Sequence, residues 1–401
     1  MPALRAWFAG AMTLVTALAG PALAQSPQVI ELAQAQERVR PKAGAASSAA
    51  AAGEAGAVQR VNNWTIGVAA GLLEGTFIRF AAELAKALND GDEMRVLPVV
   101  TYGAVENVTD LLYLRGIDIA ITHADVFEDF KRNRRASNIE RRVNYISQMY
   151  IGELHIFARH DIKTLKDLEG KKVGFHTRGA GPTVTGPILF ERLGINVEPV
   201  YINNSVALEQ MKSGEIAAIL HTVGKPNNLF TNLKSDVGHF LPVEFTDAFS
   251  DYYVPTTLGH EDYPNLFRPG EKVETLGIPV VLAVYNWNRE NDRFRRVERF
   301  IEYYFDKFDT LRRPPYHPKW KEINLAANVP GWNRYWVADE MLKKAAEAQK
   351  PAPAATGQAP AQAIDPNLAR AQAARAAPGN RAEQERLFQQ FLEWSKQRPK
   401  Q

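Results

Sequence analysis

The sequence contains no cysteine among its 401 residues. This absence excludes disulfide bonds, a thiolate nucleophile, a cysteine-ligated zinc site and a lipid anchor on cysteine. Hydrophobic residues make up 45% of the chain, which is enough to bury a substantial core in one large domain or two. Because a core of this size needs no disulfides, their absence is compatible with the bacterial periplasm.

An excess of either charge is also lacking, since 48 basic residues stand against 45 acidic ones and the net charge is +3. The densest basic stretch, KRNRR, occupies residues 131–135. We interpret it as a solvated surface, because nucleic-acid-binding domains carry larger basic clusters. The sequence therefore predicts no nucleic-acid partner.

The motifs of common enzyme classes are missing as well. We find no serine in a nucleophile elbow, no HExxH zinc motif, no Walker loop and no dinucleotide fingerprint. A hydrolase built from Asp125, Glu128 and Asp129 is conceivable, but acidic residues at a helix start are favoured by the helix dipole in any case. The sequence predicts a protein that is not an enzyme, with no catalytic residue and no cofactor.

Long hydrophobic runs are scarce, and the N-terminal one has the features of an export signal. Arg5 precedes an apolar stretch over residues 6–18, and the small-residue sequence ALA follows at residues 22–24. The apolar stretch is shorter than the roughly 20 residues of a transmembrane helix. We expect residues 1–24 to be a cleaved signal peptide and the mature protein to be soluble in the periplasm.

Two stretches are rich in alanine, proline and glutamine. Such a composition cannot bury enough apolar area to offset the entropy of ordering, so we predict disordered linkers over residues 25–62 and 345–380. The final stretch, residues 381–401, places large apolar side chains at spacings of three and four. This spacing predicts an amphipathic C-terminal helix.

The region between the linkers contains an internal resemblance. GIDIAITH at residues 116–123 and GEIAAILH at residues 214–221 both begin at glycine, continue as an apolar strand and end on histidine. Upstream of each, a strand breaks into a glycine-rich loop followed by helices and a second strand. The order predicts two α/β halves with parallel crossovers. The alternative is chance similarity between two buried strands.

This topology indicates where a ligand binds. In open α/β sheets, ligands collect beyond the carboxyl ends of the strands, where helix N-termini direct N–H groups into the crevice. Two halves that face each other form a cleft. The apolar segments ELHIFARH, residues 153–160, and TLGIPVVLAVYNW, residues 275–287, lie where connecting hinge strands have to cross.

The first half opens with IGVAAGLLEGTFIRFAAELAKAL, residues 66–88. A short strand is followed by a glycine loop and then by a predicted helix with one apolar face. The residues of that face are Phe77, Phe80, Ala81, Leu84 and Leu88.

Several of these blocks together resemble the TAXI branch of the solute receptors of tripartite ATP-independent periplasmic (TRAP) transporters. The resemblance covers residues 64–287 and rests on TIGVAAGLLEGTFIRFAAELAKAL, TYGAVENVTDLLYLRGIDIAITHADV, LHIFARHDIKTLKDLEGKKVGFHTRGAGPTVT and IPVVLAVYNW. It implies the type II periplasmic binding protein fold, an α/β fold of two lobes, each with a mainly parallel sheet flanked by helices and joined by hinge strands. The implied lobes are residues 63–152 with the return at 281–344, and residues 153–280.

The resemblance also implies that ligand contacts come from loops of both lobes. Together with His176, which ends a predicted strand, the candidate ligand-binding residues are Gly71, Leu72, Gly75, Thr76, Phe77, Tyr102, Gly103, His123, Asp125, Thr177, Arg178, Gly179, Gly181, Thr183, His221 and Thr222.

The chemistry of these residues suits a small organic acid. Gly71 and Gly75 permit close approach of the backbone to an anion, and Thr76 and Thr183 carry hydroxyl donors at helix starts. Arg178 offers a planar bidentate donor for a carboxylate. We expect Phe77, Thr76, Thr183 and Arg178 to lie on opposite walls of one cleft.

One position departs from the family pattern. The first loop of the family is small and polar, whereas Leu72, Leu73 and Glu74 occupy its centre here. If Glu74 faces the cleft, its carboxylate repels an anionic ligand. Alternatively, Glu74 is exposed near a helix start, where negative charge is favourable.

Three histidines fall at predicted carboxyl ends of strands. His123, His176 and His221 could together bind zinc, but their spacing carries no metal-motif signal and we predict hydrogen-bonding residues without a metal. We expect His123 and His221 to occupy equivalent places in the two halves and to face the cleft. If their pKa values are ordinary, about 6.5, these histidines gain positive charge as the pH falls, and an anionic solute should then bind more tightly.

The sequence as a whole predicts a periplasmic receptor that closes on a small organic solute, expected to carry a carboxylate, and delivers it to a membrane permease of the TRAP type. Two other classes stay open. One is an exported scaffold or sensory protein that uses its C-terminal helix to engage an envelope partner. The other is an exported enzyme that acts on a small anion.

Overall fold

The computed structural model describes residues 44–348, residues 384–386 and residue 389. One compact unit of the chain extends through Leu342, and a second begins at Lys343. The predicted signal peptide lies outside the described residues, as do most of the second predicted linker and most of the predicted C-terminal helix. Within the described part, no helix is long and apolar enough to cross a membrane.

Strands and helices alternate along most of this part of the chain. The strands are β1 (Thr65–Ala69), β2 (Arg95–Val99), β3 (Ile119–His123), β4 (Val143–Ala158), β5 (Lys172–Gly174), β6 (Glu198–Val200), β7 (Ala218–Val223), β8 (His239–Phe240), β9 (Val254–Gly259) and β10 (Lys272–Tyr285). The α-helices are α1 (Gly44–Asn63), α2 (Thr76–Leu88), α3 (Ala104–Tyr113), α4 (Ala124–Arg132), α5 (Ile139–Arg142), α6 (Pro182–Leu193), α7 (Asn204–Lys212), α8 (Asn228–Thr231), α9 (Asp292–Leu311) and α10 (Trp336–Ala348).

The strands form one sheet in the order β2-β1-β3-β10-β4-β7-β5-β6, with β8 paired to β4 and β9 paired to β10. Strand β1 is parallel to β2 and β3, and β5 is parallel to β6 and β7. The long strands β4 and β10 run antiparallel to their neighbours at the centre. The predicted α/β fold class, with parallel strands flanked by helices and antiparallel strands crossing between the halves, is confirmed.

The two halves of the sheet repeat one plan. The first runs β1-α2-β2-α3-β3-α4 and the second runs β5-α6-β6-α7-β7-α8, and each places its first strand between the other two. The segments GIDIAITH and GEIAAILH therefore end in β3 and β7, which are the equivalent third strands. Their similarity reflects the repeated topology.

Strands β4 and β10 cross from one half to the other. The first part of β4, through Glu153, pairs with β10, and its last part, from Glu153 onward, pairs with β7. The predicted lobe boundaries at residues 152 and 280 fall within these continuous strands. The division into two lobes stays a proposal for this reason.

The segment before β1 differs from the prediction. Residues 44–62 belong to the predicted disordered linker, but α1 covers Gly44–Asn63. Its side chains from residue 53 to residue 63 are mostly exposed, so the helix does not depend on burial of an apolar face. Alanine has the highest intrinsic helix propensity, and an alanine-rich segment can form a helix without a core.

Helix α2 packs as the sequence predicts. Phe77, Phe80, Ala81, Leu84 and Leu88 are all buried. The ring of Phe80 lies 4.6 Å from the ring of Tyr150 on β4 and 4.4 Å from that of Trp320, measured between centroids. Burial of each large apolar side chain stabilises the folded state by about 1.5–3 kcal/mol. This packing holds the start of α2 at the edge of the sheet.

Candidate functional site

A cavity lies between the two halves, beyond the carboxyl ends of the parallel strands. Gly71 follows β1, Tyr102 follows β2, His123 ends β3, His176 follows β5 and His221 lies near the end of β7. The centres of water-sized molecules can occupy about 50 Å³ of this cavity. This is the place where ligands bind in open α/β sheets.

Most of the candidate ligand-binding residues line this cavity. They are Gly71, Leu72, Gly75, Thr76, Phe77, Tyr102, Gly103, His123, His176, Gly181, His221 and Thr222. The structure therefore brings residues from five loops and strands of both halves to one place, although their role in binding stays a prediction.

Arg178 does not line the cavity. Its side chain is exposed, and its guanidinium lies over the ring of Tyr201 at 4.1 Å from the centroid. The expected arrangement of Phe77 and Arg178 on facing walls is therefore wrong. Stacking on an aromatic ring is a favourable alternative for a guanidinium, and it holds this side chain away from the site.

Four further candidates lie outside the lining because their polar groups are used elsewhere. The Thr183 hydroxyl donates to the Ala180 carbonyl at 2.6 Å, within the first turn of α6. The Thr177 N–H donates to Nδ1 of His176, and the Gly179 carbonyl accepts bonds from α3. Asp125, the fourth, accepts hydrogen bonds in the interface between the halves.

Asp125 joins the two halves away from the cavity. Its Oδ2 accepts from the Thr185 hydroxyl at 2.6 Å and from the Tyr253 hydroxyl at 3.1 Å. Burial raises the pKa of Asp125 to about 6, because the charged carboxylate is removed from water. The three hydrogen-bonded groups come from separate elements, so this contact depends on the halves being closed.

Sequence reasoning did not select Tyr150, which also lines the cavity. It lies in the crossing strand β4, where nearly every residue is buried. Burial raises the pKa of Tyr150 well above its usual value, and the negative charge of the nearby Glu153 carboxylate raises it further. The hydroxyl therefore keeps its proton. A buried tyrosine in a continuous apolar strand gives no local sequence signal that it faces a cavity.

The three cavity histidines are uncharged. Burial lowers the pKa of His123 to about 3 and that of His176 to about 4. Burial, together with repulsion from His176 and other imidazoles, lowers the pKa of His221 well below its usual value. The expectation that these groups titrate near pH 6.5 in place is wrong, because the desolvated site disfavours the imidazolium.

His176 has a defined tautomer. Its Nδ1 accepts the backbone N–H of Thr177 at 2.7 Å, so in the neutral ring the proton resides on Nε2. The residue also has a φ of 64°, a conformation that non-glycine residues adopt with strain. His176 is therefore held as a hydrogen-bond donor.

Several buried polar atoms of the lining make no hydrogen bond. They are both ring nitrogens of His123, Nδ1 of His221 and Oγ1 of Thr222. Buried polar groups in folded proteins nearly always have partners. A polar molecule that enters the cavity can supply hydrogen bonds to these atoms.

The two halves touch closely around the cavity. The Gly179 carbonyl accepts the N–H groups of Val105 at 2.9 Å and Glu106 at 3.1 Å. A Cβ atom on Gly181 would lie 2.4 Å from Nδ1 of His123 and 2.7 Å from Oγ1 of Thr222. The structure is a closed arrangement, and only glycine fits at position 181 within it.

The charge of the lining comes from one residue. Glu74 is exposed at the rim, and its Oε1 accepts from Nδ2 of Asn203 in the other half at 2.7 Å. Both sequence-based possibilities for Glu74 hold in part, since the side chain is exposed and also contributes to the cavity. Among the described residues, no group of histidines and carboxylates is placed to hold a metal ion.

Comparison with known proteins gives a family and several distant structural likenesses. The profile of the NMT1-like family matches residues 68–329, well over half of the chain. No curated protein sequence matches.

Among solved structures, one described as a periplasmic transporter shares 13% identity over 71% of this chain and 95% of its own, with a TM-score of 0.42. An arginine-specific periplasmic binding protein of Salmonella typhimurium shares 15% identity over 65% of this chain and 98% of its own, with a TM-score of 0.39. The effector-binding domain of a BenM variant shares 13% identity over 61% of this chain and 96% of its own, with a TM-score of 0.35.

Proposed function

The chain belongs to the NMT1-like family, and from this premise we propose that it is a receptor that captures a small organic solute between the two halves of its sheet. Binding in the cleft is coupled to closure of the halves. Hinge closure of this kind follows when the solute interacts more favourably with the closed state than with the open one.

The observation that carries this proposal is the set of buried polar atoms without partners on His123, His221 and Thr222, beside the Tyr150 hydroxyl. Each such atom costs about 1–3 kcal/mol when it is buried without a hydrogen bond. A polar ligand that replaces water at these atoms gains about 0.5–1.5 kcal/mol for each hydrogen bond that it forms. The lining is therefore suited to a ligand rather than to a solid core.

Binding rather than catalysis is supported by the surroundings of His123. Neither of its ring nitrogens hydrogen-bonds to a carboxylate or a hydroxyl group of the described residues. A catalytic histidine that activates a nucleophile is held by such partners. The lining supplies hydrogen bonds but no relay for proton transfer.

We further propose that the receptor works in the periplasm and delivers its solute to a TRAP-type permease, as a member of the TAXI branch. The predicted signal peptide and the resemblance of the loop sequences support this assignment. The exposed Leu73 and Tyr102 beside the cavity mouth are available to a membrane partner in the closed state.

The test is a binding screen followed by an uptake assay. A solute at 100 times its dissociation constant stabilises the protein by about 2.7 kcal/mol, which a thermal-shift screen detects easily. We expect one small organic solute to stabilise the mature protein, and deletion of the gene to abolish uptake of that solute. Binding without any change in uptake would contradict delivery to a permease and favour a sensory role.

A further inference from the structure

We propose that the cavity is built for a small uncharged solute that carries both hydrogen-bond donors and acceptors, such as an amide, rather than for a carboxylate. This inference rests on the proposed function and specifies the chemical class of its solute. The lining supports it through its charges, its hydrogen-bonding groups, its helix starts and its size.

No arginine or lysine is among the lining residues, and the charged one is the acidic Glu74. Arg178 is engaged with Tyr201 outside the cavity. Lys319 lies beside the ring of Tyr150, but its Nζ is held by Glu153 at 2.8 Å and by Glu322 at 3.0 Å. A buried carboxylate is stabilised most by a compensating positive charge, and neither Arg178 nor Lys319 supplies one to the cavity.

The hydrogen-bonding groups offer both donors and acceptors. Each neutral imidazole has one N–H and one acceptor nitrogen, and both positions on His123 are unused. His176 donates through Nε2, while Tyr150 and Thr222 carry hydroxyl groups that can act in either sense. A carboxylate accepts only, so it would leave the acceptor nitrogen of His123 without a partner. An amide satisfies donors and acceptors together.

The helix starts around the cavity are poorly suited to an anion. Helix α3 uses the N–H groups of Val105 and Glu106 on the Gly179 carbonyl. Helix α6 begins with Pro182, which has no N–H, and its next N–H groups bond to the preceding turn. Helix α2 has its N-terminus open, but the carboxylate of Glu74 precedes it by two residues. The positive ends of these helices are occupied or already compensated.

The cavity is small in this closed state, since the centres of water-sized molecules can occupy about 50 Å³ of it. Phe77, Ala104 and Val223 supply apolar walls. A molecule with a few non-hydrogen atoms, one polar group and a small apolar part fills this space.

The test compares three molecules of similar shape, of which one is an anion, one is neutral and one is a cation. Acetate, acetamide and acetamidinium are nearly isosteric, and lactate with lactamide provides a second, slightly larger pair. Calorimetric titration of the mature full-length chain at pH 7.5 should show acetamide or lactamide binding at least tenfold more tightly than its charged counterparts.

Single hydroxyl groups then locate the site. Thr222→Val removes a hydroxyl that makes no hydrogen bond within the described residues, and Tyr150→Phe removes one that interacts with the Thr76 side chain, so both variants should fold normally. We expect each to weaken amide binding by roughly 3- to 10-fold, as for the loss of one neutral hydrogen bond. Tyr304→Phe is the matched control, because that hydroxyl is buried and pairs with Ser147 at 3.1 Å outside the cavity. It should leave the affinity unchanged.

Tighter binding of a carboxylate or of acetamidinium than of the amide would overturn the inference and leave the proposed receptor function intact. If the amide binds Tyr150→Phe and Thr222→Val as tightly as wild type, it binds outside this cavity, and the inference is overturned as well. If no member of either series binds at millimolar concentration, the small-solute inference fails. The proposed function is then decided separately by the wider solute screen.

Discussion

The glycine loop after β1 and the glycine loop after β5 occupy equivalent places in the two halves, yet two of their glycines, Gly71 and Gly181, differ in the space around them. A Cβ atom on Gly71 would lie 3.6 Å from Cβ of Phe77, an ordinary contact. A Cβ atom on Gly181 would lie 2.4 Å from Nδ1 of His123. The first loop contributes the side chains of Thr76 and Phe77 to the lining. The second contributes His176 and, at Gly181, the space into which the His123 ring fits.

The equivalent histidines differ in the same way. His123 is the last residue of β3 and makes no hydrogen bond through its ring. His221 lies within β7, paired across the sheet with His155, and β7 continues to Val223. Repetition of the topology thus places two imidazoles at one cavity, but the neighbouring residues decide what each can bind.

The largest expected effect comes from the glycine of the second loop. Gly181→Ala should weaken solute binding by about 5- to 100-fold, because overpacking in a closed contact costs about 1–3 kcal/mol. The backbone at Gly181 has φ −55° and ψ −45°, which alanine adopts freely, so the change should act on closure rather than on folding. Calorimetric titration measures the affinity.

Gly71→Ala is the comparison variant, since the same added methyl group makes only ordinary contacts with Phe77 and Gly103 there. Its loss of affinity should be smaller than that of Gly181→Ala. Equal losses in both variants would show that the two loops contribute alike, and the contrast between the halves would then be wrong.

The second prediction concerns Asp125, which the sequence predicts to bind the ligand but which joins the two halves through Thr185 and Tyr253 in the structure. Its pKa of about 6 lies above the unfolded value of 3.8, so the buried carboxylate destabilises the folded state at high pH. This penalty is relieved as the pH falls through 6 towards 3.8. Wild type should therefore gain about 2 kcal/mol relative to Asp125→Asn between pH 8 and pH 4.5.

Urea unfolding of both proteins at the two pH values checks this prediction. The quantity of interest is the change in their stability difference, which cancels the titration of other groups. A difference that does not vary with pH would mean that Asp125 is solvated, and the closed interface between α4, α6 and the segment around Tyr253 would be wrong.

Much of the fold was predictable because periodicity and order are local signals. The apolar face of α2 and the repeat that ends in β3 and β7 follow from the spacing of side chains in the chain. Helix α1 was missed because exposed alanine-rich helices depend on propensity rather than on burial. Tyr150 and the orientation of Arg178 could not be predicted, since both depend on contacts between distant segments.

The third prediction is the pH dependence of binding. In the closed state, burial keeps His123, His176 and His221 neutral. In the proposed open state, water returns their pKa towards about 6.5, so protons favour opening. Affinity for an uncharged solute should fall at least tenfold between pH 7 and pH 5, opposite to the increase expected for an anion.

This measurement is cleanest in the Asp125→Asn background, because Asp125 takes up a proton on closure and opposes the histidines. His123→Gln should reduce the loss of affinity on acidification. An affinity that rises as the pH falls would show that the histidines become charged when the solute binds, and it would favour an anionic solute.

The smallest expected effect is at the rim. Asn203→Ala removes the hydrogen bond to Glu74 that joins the halves. Since Glu74 is exposed, the loss should be about 0.5–1 kcal/mol, or roughly two- to fivefold in affinity. Glu209→Ala, which removes an exposed carboxylate from the outer side of α7, should have no effect on titration of the solute. Identical behaviour of these two variants would mean that the rim contact does not contribute to closure.

The central claim is that a solute fills the cavity between the halves, and a crystal structure with the solute found by the screen tests it most directly. We predict polar atoms of the solute within hydrogen-bond distance of His123, Tyr150 and Thr222, with Gly181 in contact with His123. A solute bound elsewhere, for example in the groove lined by Asn62, Trp64 and Arg296, with the polar atoms of the cavity still without partners, would contradict the account.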